Sequence, residues 1–208
     1  MSAGFAEGHV EAGGRRLRYL EAGLGAALVH LPGPGGLRLT PAHELLARHF
    51  RVVLLDVPQL DQSAEPVSTT LATAIRRMGA VAFNLMGTSS GSTAALALAL
   101  EEPQRVSALA LEAPTALGAE AGNGETEPPL AALAMPTLVL LGTADTEVPV
   151  AMGRVYKERI PRCHLVFVYA AGHAISADRP EAFAEVVVDF LERREAFVIS
   201  RERTVIHP

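Results

Sequence analysis

The chain has 208 residues, of which 49% are apolar and 20% are charged, and this balance is typical of a globular protein with one domain and a sizeable core. Its formal net charge of −5 is a poor match for a phosphate backbone and argues against general nucleic-acid binding. The single cysteine, Cys163, excludes an intrachain disulfide bond and a cysteine-rich zinc site.

The N-terminal segment carries neither the basic region nor the apolar region of a signal peptide. The longest smooth apolar stretch, residues 94–100, is much shorter than the roughly 20 residues that a membrane-spanning helix needs. We therefore expect a soluble cytoplasmic protein with no membrane partner.

The first half of the chain alternates short apolar runs with stretches of helical spacing. A Gly13-Gly14 turn joins the first two predicted strands, and the third predicted strand ends in the sequence PGPGG. Pro41 favours the start of a helix, because the first helical turn does not need the amide that proline lacks. The predicted strands of this half are residues 9–13, 16–21, 26–31, 51–56 and 81–86. The predicted helices are residues 41–49, 68–79 and 92–102.

The second half continues the alternation around one irregular segment. Residues 114–130 are rich in Gly, Pro, Glu and Thr and are predicted to form a surface loop, with a short helix at residues 129–134. Asp178 and Glu181 have the spacing of a capping box at the start of the last helix. The predicted strands of this half are residues 106–111, 136–142 and 164–169. The predicted helices are residues 148–160 and 178–194.

Continuous apolar strands separated by helices indicate an α/β protein, with a mostly parallel sheet covered by helices on both faces. Ligands bind to such sheets at the carboxyl ends of the strands, so the residues that follow each strand are candidates for the site. We expect residues 1–194 to form one domain of this kind. Residues 195–208 contain two apolar patches, AFVIS and TVIH, and we expect this extension to pack on its own domain or on the second subunit of a homodimer.

A motif with chemical meaning follows the strand at residues 81–86. The sequence GTSSG leads from that strand into a helix, as the G-x-S-x-G nucleophile elbow does. The turn is too sharp for large side chains two residues on either side of Ser89, which accounts for Gly87 and Gly91. It lifts the Ser89 hydroxyl out of the sheet and aims the Ser90 backbone N–H at a developing oxyanion. The alternative interpretation is an ordinary Ser/Gly-rich turn at the start of a helix.

One histidine stands where a base for this serine is needed. His173 follows the last core strand in the sequence AGH, on a loop before the final helix. His43 and His49 fall on a predicted helix, and we expect both at the protein surface. A serine hydroxyl is a weak nucleophile without a base, and we predict that His173 is that base. The alternative is a loop histidine that is hydrogen-bonded only to backbone.

The base in turn needs a carboxylate that fixes its tautomer and stabilises the imidazolium. Asp145 follows the strand at residues 136–142 in the sequence GTAD and is the first choice. Glu112, directly after the strand at residues 106–111, is the second choice. Asp145 would otherwise serve only as a turn or helix cap, and Asp178 is explained by its capping position. The chain order serine, aspartate, histidine is the order of an α/β-hydrolase triad.

The sequence resembles α/β-hydrolase fold proteins of the esterase and lipase-like superfamily, from about residue 9 to residue 194. The motifs that carry the resemblance are HLPGPGG at residues 30–36, DVP at 56–58, the elbow GTSSG, the acid loop GTAD and the base loop AGH. The resemblance implies an α/β-hydrolase fold with an eight-stranded sheet in which only the second strand is antiparallel. It also implies that Ser89, Asp145 and His173 act as nucleophile, acid and base.

Two departures from this family concern access to the site. Only 24 residues separate Leu111 from Pro136, which is too few for the helical cap that many relatives insert there. We therefore expect the cap domain to be absent and the pocket to be open. Both glycines of the family's D-x-P-G-x-G-x-S turn are missing from residues 56–63, so this loop has a different shape near the mouth of the site.

A third departure concerns the oxyanion hole. The donor position of the family's H-G-x-x-G loop falls on Pro32 or Pro34, depending on the alignment, and proline has no N–H. The amides left to serve beside that of Ser90 are those of Leu31, Gly33 and Gly35. We predict Gly33 as the second donor, and the alternative is a hole with the single donor Ser90. Loss of one such donor costs about 10²- to 10³-fold in rate.

These residues predict a serine hydrolase that cleaves a small carboxylic ester, thioester or lactone through an acyl-enzyme on Ser89, with no metal or organic cofactor. One alternative is a catalytically weak or inactive relative that acts as a small-molecule binding protein, and the prolines of the oxyanion loop favour it. A further alternative is acyl transfer or carbon–carbon bond hydrolysis by the same residues, which the sequence does not separate from ester hydrolysis.

Overall fold

An eight-stranded sheet organises the computed structural model, which describes residues 4–57, 65–116 and 129–197. Its strands are β1 (Ala6–Ala12), β2 (Arg15–Ala22), β3 (Ala27–Leu31), β4 (Arg51–Leu55), β5 (Phe83–Thr88), β6 (Val106–Glu112), β7 (Thr137–Gly142) and β8 (Cys163–Val168). The helices are α1 (Pro41–Leu46), α2 (Val67–Arg77), α3 (Gly91–Glu101), α4 (Met152–Arg159), α5 (Ile175–Asp178) and α6 (Pro180–Arg193). Single 3-10 turns lie at Leu130–Ala132 and Arg194–Ala196.

The strands follow the spatial order β1-β2-β4-β3-β5-β6-β7-β8. Strand β2 pairs antiparallel with β1 and β4, and every other pairing in the sheet is parallel. The α/β-hydrolase architecture expected from the sequence, with only the second strand antiparallel, is therefore confirmed. The chain moves outward from β3 to β4 and then returns to β5 on the other side of β3. This reversal creates a crevice at the carboxyl ends of β3 and β5, where ligands bind in open α/β sheets.

Alternate residues of the central strands face two separate apolar cores. Val139 and Leu141 of β7 belong to the core that α2, α3 and α4 cover, and Leu138 and Leu140 belong to the core under α1, α5 and α6. All residues of β3 and β7 are buried. Both faces of these strands are covered, which explains why their sequences are continuous apolar runs rather than alternating ones.

Several strands and helices begin or end at residues other than those predicted from the sequence, because local packing determines where they stop. Strand β5 begins at Phe83 rather than at Val81, whose side chain is 78% exposed, and it continues to Thr88. The predicted helix at residues 178–194 corresponds to α6, which starts at Pro180 because Arg179 has an extended φ of −137°, and Asp178 is the last residue of the separate helix α5.

The predicted capping box is therefore wrong. Asp178 ends α5 instead of capping α6, and its Oδ2 accepts a hydrogen bond of 2.8 Å from the backbone N–H of Gly172. The residue that precedes α6 is Arg179, and Glu181 lies in the first turn of that helix. Asp178 thus fastens the loop that carries His173 rather than the start of the last helix.

The C-terminal extension begins with a packed aromatic residue. Phe197 is 5% exposed, and its ring lies edge-on to those of Phe190 and His164 at centroid distances of 5.6 and 5.3 Å. This part of the extension therefore packs on its own domain. Residues 198–208, which include most of both apolar patches, lie outside the described residues, as do residues 58–64 and 117–128 of the two predicted loops.

None of the helices in the described ranges has both the length and the apolar character needed to cross a bilayer.

Candidate active site

Ser89 occupies a strained turn between β5 and α3. Its φ of +53° lies in the left-handed region, which is uncommon for a residue with a side chain and costs about 1–3 kcal/mol. The backbone N–H of Ser89 donates a hydrogen bond of 2.9 Å to the carbonyl of Glu112 at the end of β6. The turn is therefore held by the neighbouring strand, and it presents the hydroxyl at the carboxyl edge of the sheet.

The two glycines of the motif are required for steric reasons, as predicted. A Cβ at Gly87 would lie 2.8 Å from the Cβ of Ala95 and from the Cα of Ser92. A Cβ at Gly91 would lie 2.3 Å from the carbonyl oxygen of Leu31. Contacts this short do not occur, so a side chain at either position forces the backbone to move.

We expect the substitution Gly91→Ala to destabilise the protein by about 2 kcal/mol or more, because its methyl group meets backbone carbonyls that cannot rotate away. For a chain of this size the melting temperature should fall by about 4–8 °C, measured by circular dichroism. Gly4→Ala is the matched control, because nothing lies within 4 Å of a Cβ at Gly4. Equal melting temperatures for the two variants would contradict the steric account.

The structure brings together the three side chains that the sequence suggested separately. His173 Nε2 lies 2.9 Å from Ser89 Oγ, and His173 Nδ1 lies 3.0 Å from Asp145 Oδ2. The Asp145 side chain is fully buried, and its Oδ1 accepts hydrogen bonds from the amides of Glu147 and Val148 at 2.7 and 3.0 Å. Two backbone donors thus hold the carboxylate in place while its other oxygen faces the imidazole.

A close approach of two loops creates this alignment. A Cβ at Gly142, the last residue of β7, would lie 2.3 Å from the carbonyl oxygens of both Ala171 and Gly172. The loop that carries His173 therefore crosses directly over the end of the strand that precedes Asp145. Glycine is the residue that permits this approach.

Glu112, the second choice for the acid, lies elsewhere. Its carboxylate is fully buried and accepts hydrogen bonds from Thr88 Oγ1 at 2.8 Å and from the Ser176 backbone N–H at 2.6 Å. Asp145, and not Glu112, occupies the position beside Nδ1 of His173. Burial raises the pKa of the Glu112 carboxyl, whereas the hydrogen bonds from Ser176 and Thr88 and the nearby His173 lower it.

The oxyanion side of the site is formed by the loop after β3 and the start of α3. A Cβ at Gly33 would lie 3.0 Å from the Cβ of Ser89 and 3.6 Å from its Oγ, so the Gly33 backbone borders the hydroxyl directly. A Cβ at Gly35 would instead contact the Arg38 side chain. Ser90 immediately precedes α3, whose helix dipole favours negative charge at this end.

Sequence reasoning missed a buried histidine pair beside the elbow. His43 is only 1% exposed, so its predicted surface position is wrong, and its ring stacks on that of His30. His30 Nδ1 lies 2.9 Å from His43 Nε2, and His30 Nε2 lies 2.7 Å from Thr88 Oγ1. Burial lowers the pKa of His43 to about 4 and also lowers that of His30. The sequence feature that could have indicated this pair was the position of His30 within an otherwise apolar strand.

A second carboxylate that sequence reasoning did not single out is Glu147. Its Oε2 lies 3.6 Å from His173 Nε2, on the side of the imidazole that faces Ser89, and its side chain is 66% exposed. Its place two residues after Asp145 follows from the turn that the Asp145 carboxylate organises. Within the described ranges, no group of three or more His, Cys, Asp or Glu side chains is arranged to hold a metal ion.

Two family models match most of this chain between them. A model described as alpha/beta hydrolase fold matches residues 33–124, and one described as TAP-like protein matches residues 118–196. A curated relative, the dihydrolipoyllysine-residue acetyltransferase component of the acetoin cleaving system of Pseudomonas putida, is 35% identical over 127 residues. The match covers 55% of this chain and 34% of the relative, so the chain spans about a third of that protein's length.

Solved structures resemble the fold across nearly the whole chain. A predicted CIB-like hydrolase from Thermoplasma acidophilum has a TM-score of 0.73 at 20% identity, with 92% of this chain and 99% of the other covered. Naproxen esterase from Bacillus subtilis has a TM-score of 0.75 at 14% identity, covering 90% and 92%. The 2-hydroxy-6-oxo-6-phenylhexa-2,4-dienoate hydrolase from Rhodococcus sp. strain RHA1 has a TM-score of 0.76 at 17% identity, covering 91% and 99%.

Proposed function

The chain belongs to the α/β-hydrolase superfamily, and from this premise we propose that it is a serine hydrolase that cleaves small carboxylic esters, thioesters or lactones through an acyl-enzyme on Ser89. The observation that carries the proposal is the continuous contact from Ser89 Oγ through His173 to the buried Asp145 carboxylate. Esterases and other hydrolases among the structural neighbours support the general class.

The geometry supports a two-step reaction. Ser89 Oγ forms a bond to the substrate carbonyl carbon while its proton moves to His173 Nε2, which lies 2.9 Å away. The tetrahedral intermediate collapses, the bond to the leaving alcohol or thiol breaks, and the proton passes from Nε2 to that group. Water then attacks the acyl-enzyme with the same proton transfers and restores the Ser89 hydroxyl. Asp145 accepts the Nδ1–H hydrogen bond throughout and stabilises the imidazolium.

Stabilisation of the oxyanion is assigned to two backbone amides. The Ser90 N–H lies at the start of α3, and the Gly33 N–H belongs to the loop that borders Ser89. Gly33 is the nearest residue after Pro32 with an amide hydrogen, so a shift of one residue compensates for the proline.

A second candidate function is transfer of the acyl group to an alcohol or thiol instead of water. The observation that favours it is the 35% identity to a protein named as an acetyltransferase component. The acyl-enzyme is the same in both reactions, and the acceptor that reaches it decides the product. Comparing ester hydrolysis with ester exchange in the presence of added alcohol separates the two.

We expect a fluorophosphonate probe to label the folded protein with a stoichiometry of one, and peptide mass spectrometry to locate the adduct on Ser89. The reagent reacts with serines that a neighbouring base activates, and Ser89 meets this condition through its contact with His173. The measurement is the labelling rate of native protein beside that of protein unfolded in urea, which loses the geometry but keeps the serine.

Turnover of p-nitrophenyl acetate and butyrate completes the test. Labelling together with turnover supports the hydrolase, and labelling that is equally slow in native and unfolded protein contradicts it. In that case the catalytically weak binding protein becomes the favoured function, because the prolines at positions 32 and 34 would then leave the oxyanion without adequate donors.

A further inference from the structure

The buried carboxylate of Glu112 has no part in the proposed reaction, yet it lies between the elbow and the segment that follows the base loop. Its two oxygens accept hydrogen bonds from Thr88, which precedes the nucleophile, and from Ser176, which follows the base loop. Its backbone carbonyl accepts a third hydrogen bond, from the Ser89 amide. One residue therefore contacts the elbow and the segment behind His173 at the same time.

A chain of hydrogen bonds extends from this carboxylate to the oxyanion loop. Thr88 Oγ1 contacts His30 Nε2 at 2.7 Å, and His30 Nδ1 contacts His43 Nε2 at 2.9 Å. The backbone N–H of Thr40 donates to His43 Nδ1 at 2.9 Å. His30 lies before the oxyanion loop and His43 lies after it, so the chain fixes both ends of the segment that contains Gly33.

The direction of these hydrogen bonds is determined at one end. The Thr40 amide can only donate, so His43 Nδ1 accepts and its Nε2 carries the proton that is donated to His30 Nδ1. His30 Nε2 then donates to Thr88 Oγ1, and the Thr88 hydroxyl donates to Glu112 Oε2. At the other end the Ser176 amide donates to Glu112 Oε1. Both oxygens of the Glu112 carboxyl group therefore accept a hydrogen bond, Oε2 from Thr88 and Oε1 from Ser176.

We propose that Glu112 is a positioning residue of the site: its buried carboxylate aligns the elbow with the segment that follows the base loop and, through Thr88, His30 and His43, with the oxyanion loop. The inference rests on the proposed function for its kinetic consequences, but not for its structural ones. The neutral state of both histidines agrees with these hydrogen-bond directions. Burial raises the pKa of the Glu112 carboxyl, whereas the hydrogen bonds from Ser176 and Thr88 and the nearby His173 lower it.

The decisive variants are Glu112→Gln, which replaces one accepting oxygen with an NH₂ donor, and Thr88→Val, which removes the hydroxyl between His30 and Glu112. We expect Glu112→Gln to lower kcat by about 10- to 100-fold at nearly constant KM, since Glu112 aligns the reacting groups without touching substrate. Thr88→Val should lower kcat similarly, and Thr88→Ser, which keeps the hydroxyl, should retain the wild-type kcat. Glu185→Gln, exposed on α6, is the matched control and should change neither kcat nor KM.

NMR of the His30 imidazole gives a readout that does not need turnover, because His30 Nε2 contacts Thr88 Oγ1 in the chain. An altered His30 Nε2–H signal together with a lower kcat in Glu112→Gln supports the inference, and an unchanged signal together with an unchanged kcat overturns it. Wild-type protein without esterase activity would contradict the proposed function but not this NMR result. If Glu112→Gln does not fold, Thr88→Val decides by the same two measurements, and folded protein with wild-type kcat and an unaltered His30 signal overturns the inference.

Discussion

Replacing Ser89 or His173 with alanine is expected to lower kcat/KM for p-nitrophenyl butyrate by roughly 10³-fold or more in each case. The 2.9 Å contact between Ser89 Oγ and His173 Nε2 makes the two side chains one functional unit. Without the hydroxyl no acyl-enzyme forms, and without the imidazole no base accepts its proton. The double variant should therefore be hardly slower than either single variant, because removing half of such a unit already removes its function.

The matched control for the histidine is His49→Ala. His49 is half-exposed and contacts Glu192 on α6 rather than the site, so its loss should leave turnover unchanged. Circular dichroism of each variant distinguishes a loss of catalytic activity from a loss of the folded structure. If the double variant lowers kcat/KM by the product of the two single-variant factors, the two side chains act independently, because independent contributions add in free energy. That result would contradict a shared role.

Asp145→Asn is expected to lower kcat by about 10⁴-fold while the fold is kept. The asparagine Oδ1 can still accept hydrogen bonds from the amides of Glu147 and Val148. Its NH₂ group, however, would point at His173 Nδ1 and make that nitrogen an acceptor. The proton of the neutral imidazole then lies on Nε2, facing Ser89, and the ring can no longer accept the serine proton.

Asp189→Asn is the control for this substitution, because Asp189 forms an i,i+4 ion pair with Arg193 on α6, away from the site. Single-turnover kinetics on the p-nitrophenyl ester show whether acylation is the step that slows. Asp145→Asn with near wild-type kcat would mean that another carboxylate orients His173, and Glu147 would be the first residue to test.

The sheet and the three central side chains could be predicted because their signals are local. Continuous apolar runs identify buried parallel strands, and a polar residue directly after such a run lies at the carboxyl edge of the sheet. The spacing of Gly87 and Gly91 around Ser89 reports a sharp turn that the structure contains. Asp145 and His173 could be identified from their positions directly after the predicted strands that correspond to β7 and β8.

The remaining features depend on contacts between distant segments. His43 has the helical spacing of a surface residue, and its burial results from the packing of α1 against α6 and from His30, thirteen residues earlier. Asp178 has the spacing of a cap, but the Gly172 amide competes successfully for its carboxylate. Glu112 is predicted to follow a strand just as Asp145 does, but it is the last residue of β6, and its pairing with Thr88 in the register of β5 and β6 directs it to another role. No local pattern carries this information.

The exposed carboxylate of Glu147 has a consequence for what leaves the site. In the proposed reaction a neutral ester becomes a carboxylate beside His173 Nε2, and Glu147 Oε2 lies 3.6 Å from this nitrogen. Two like charges at such a separation repel each other even when water screens them partly. Under that proposal Glu147 repels the acid product but not the neutral substrate, which favours release of the acid over its retention as a competitive inhibitor.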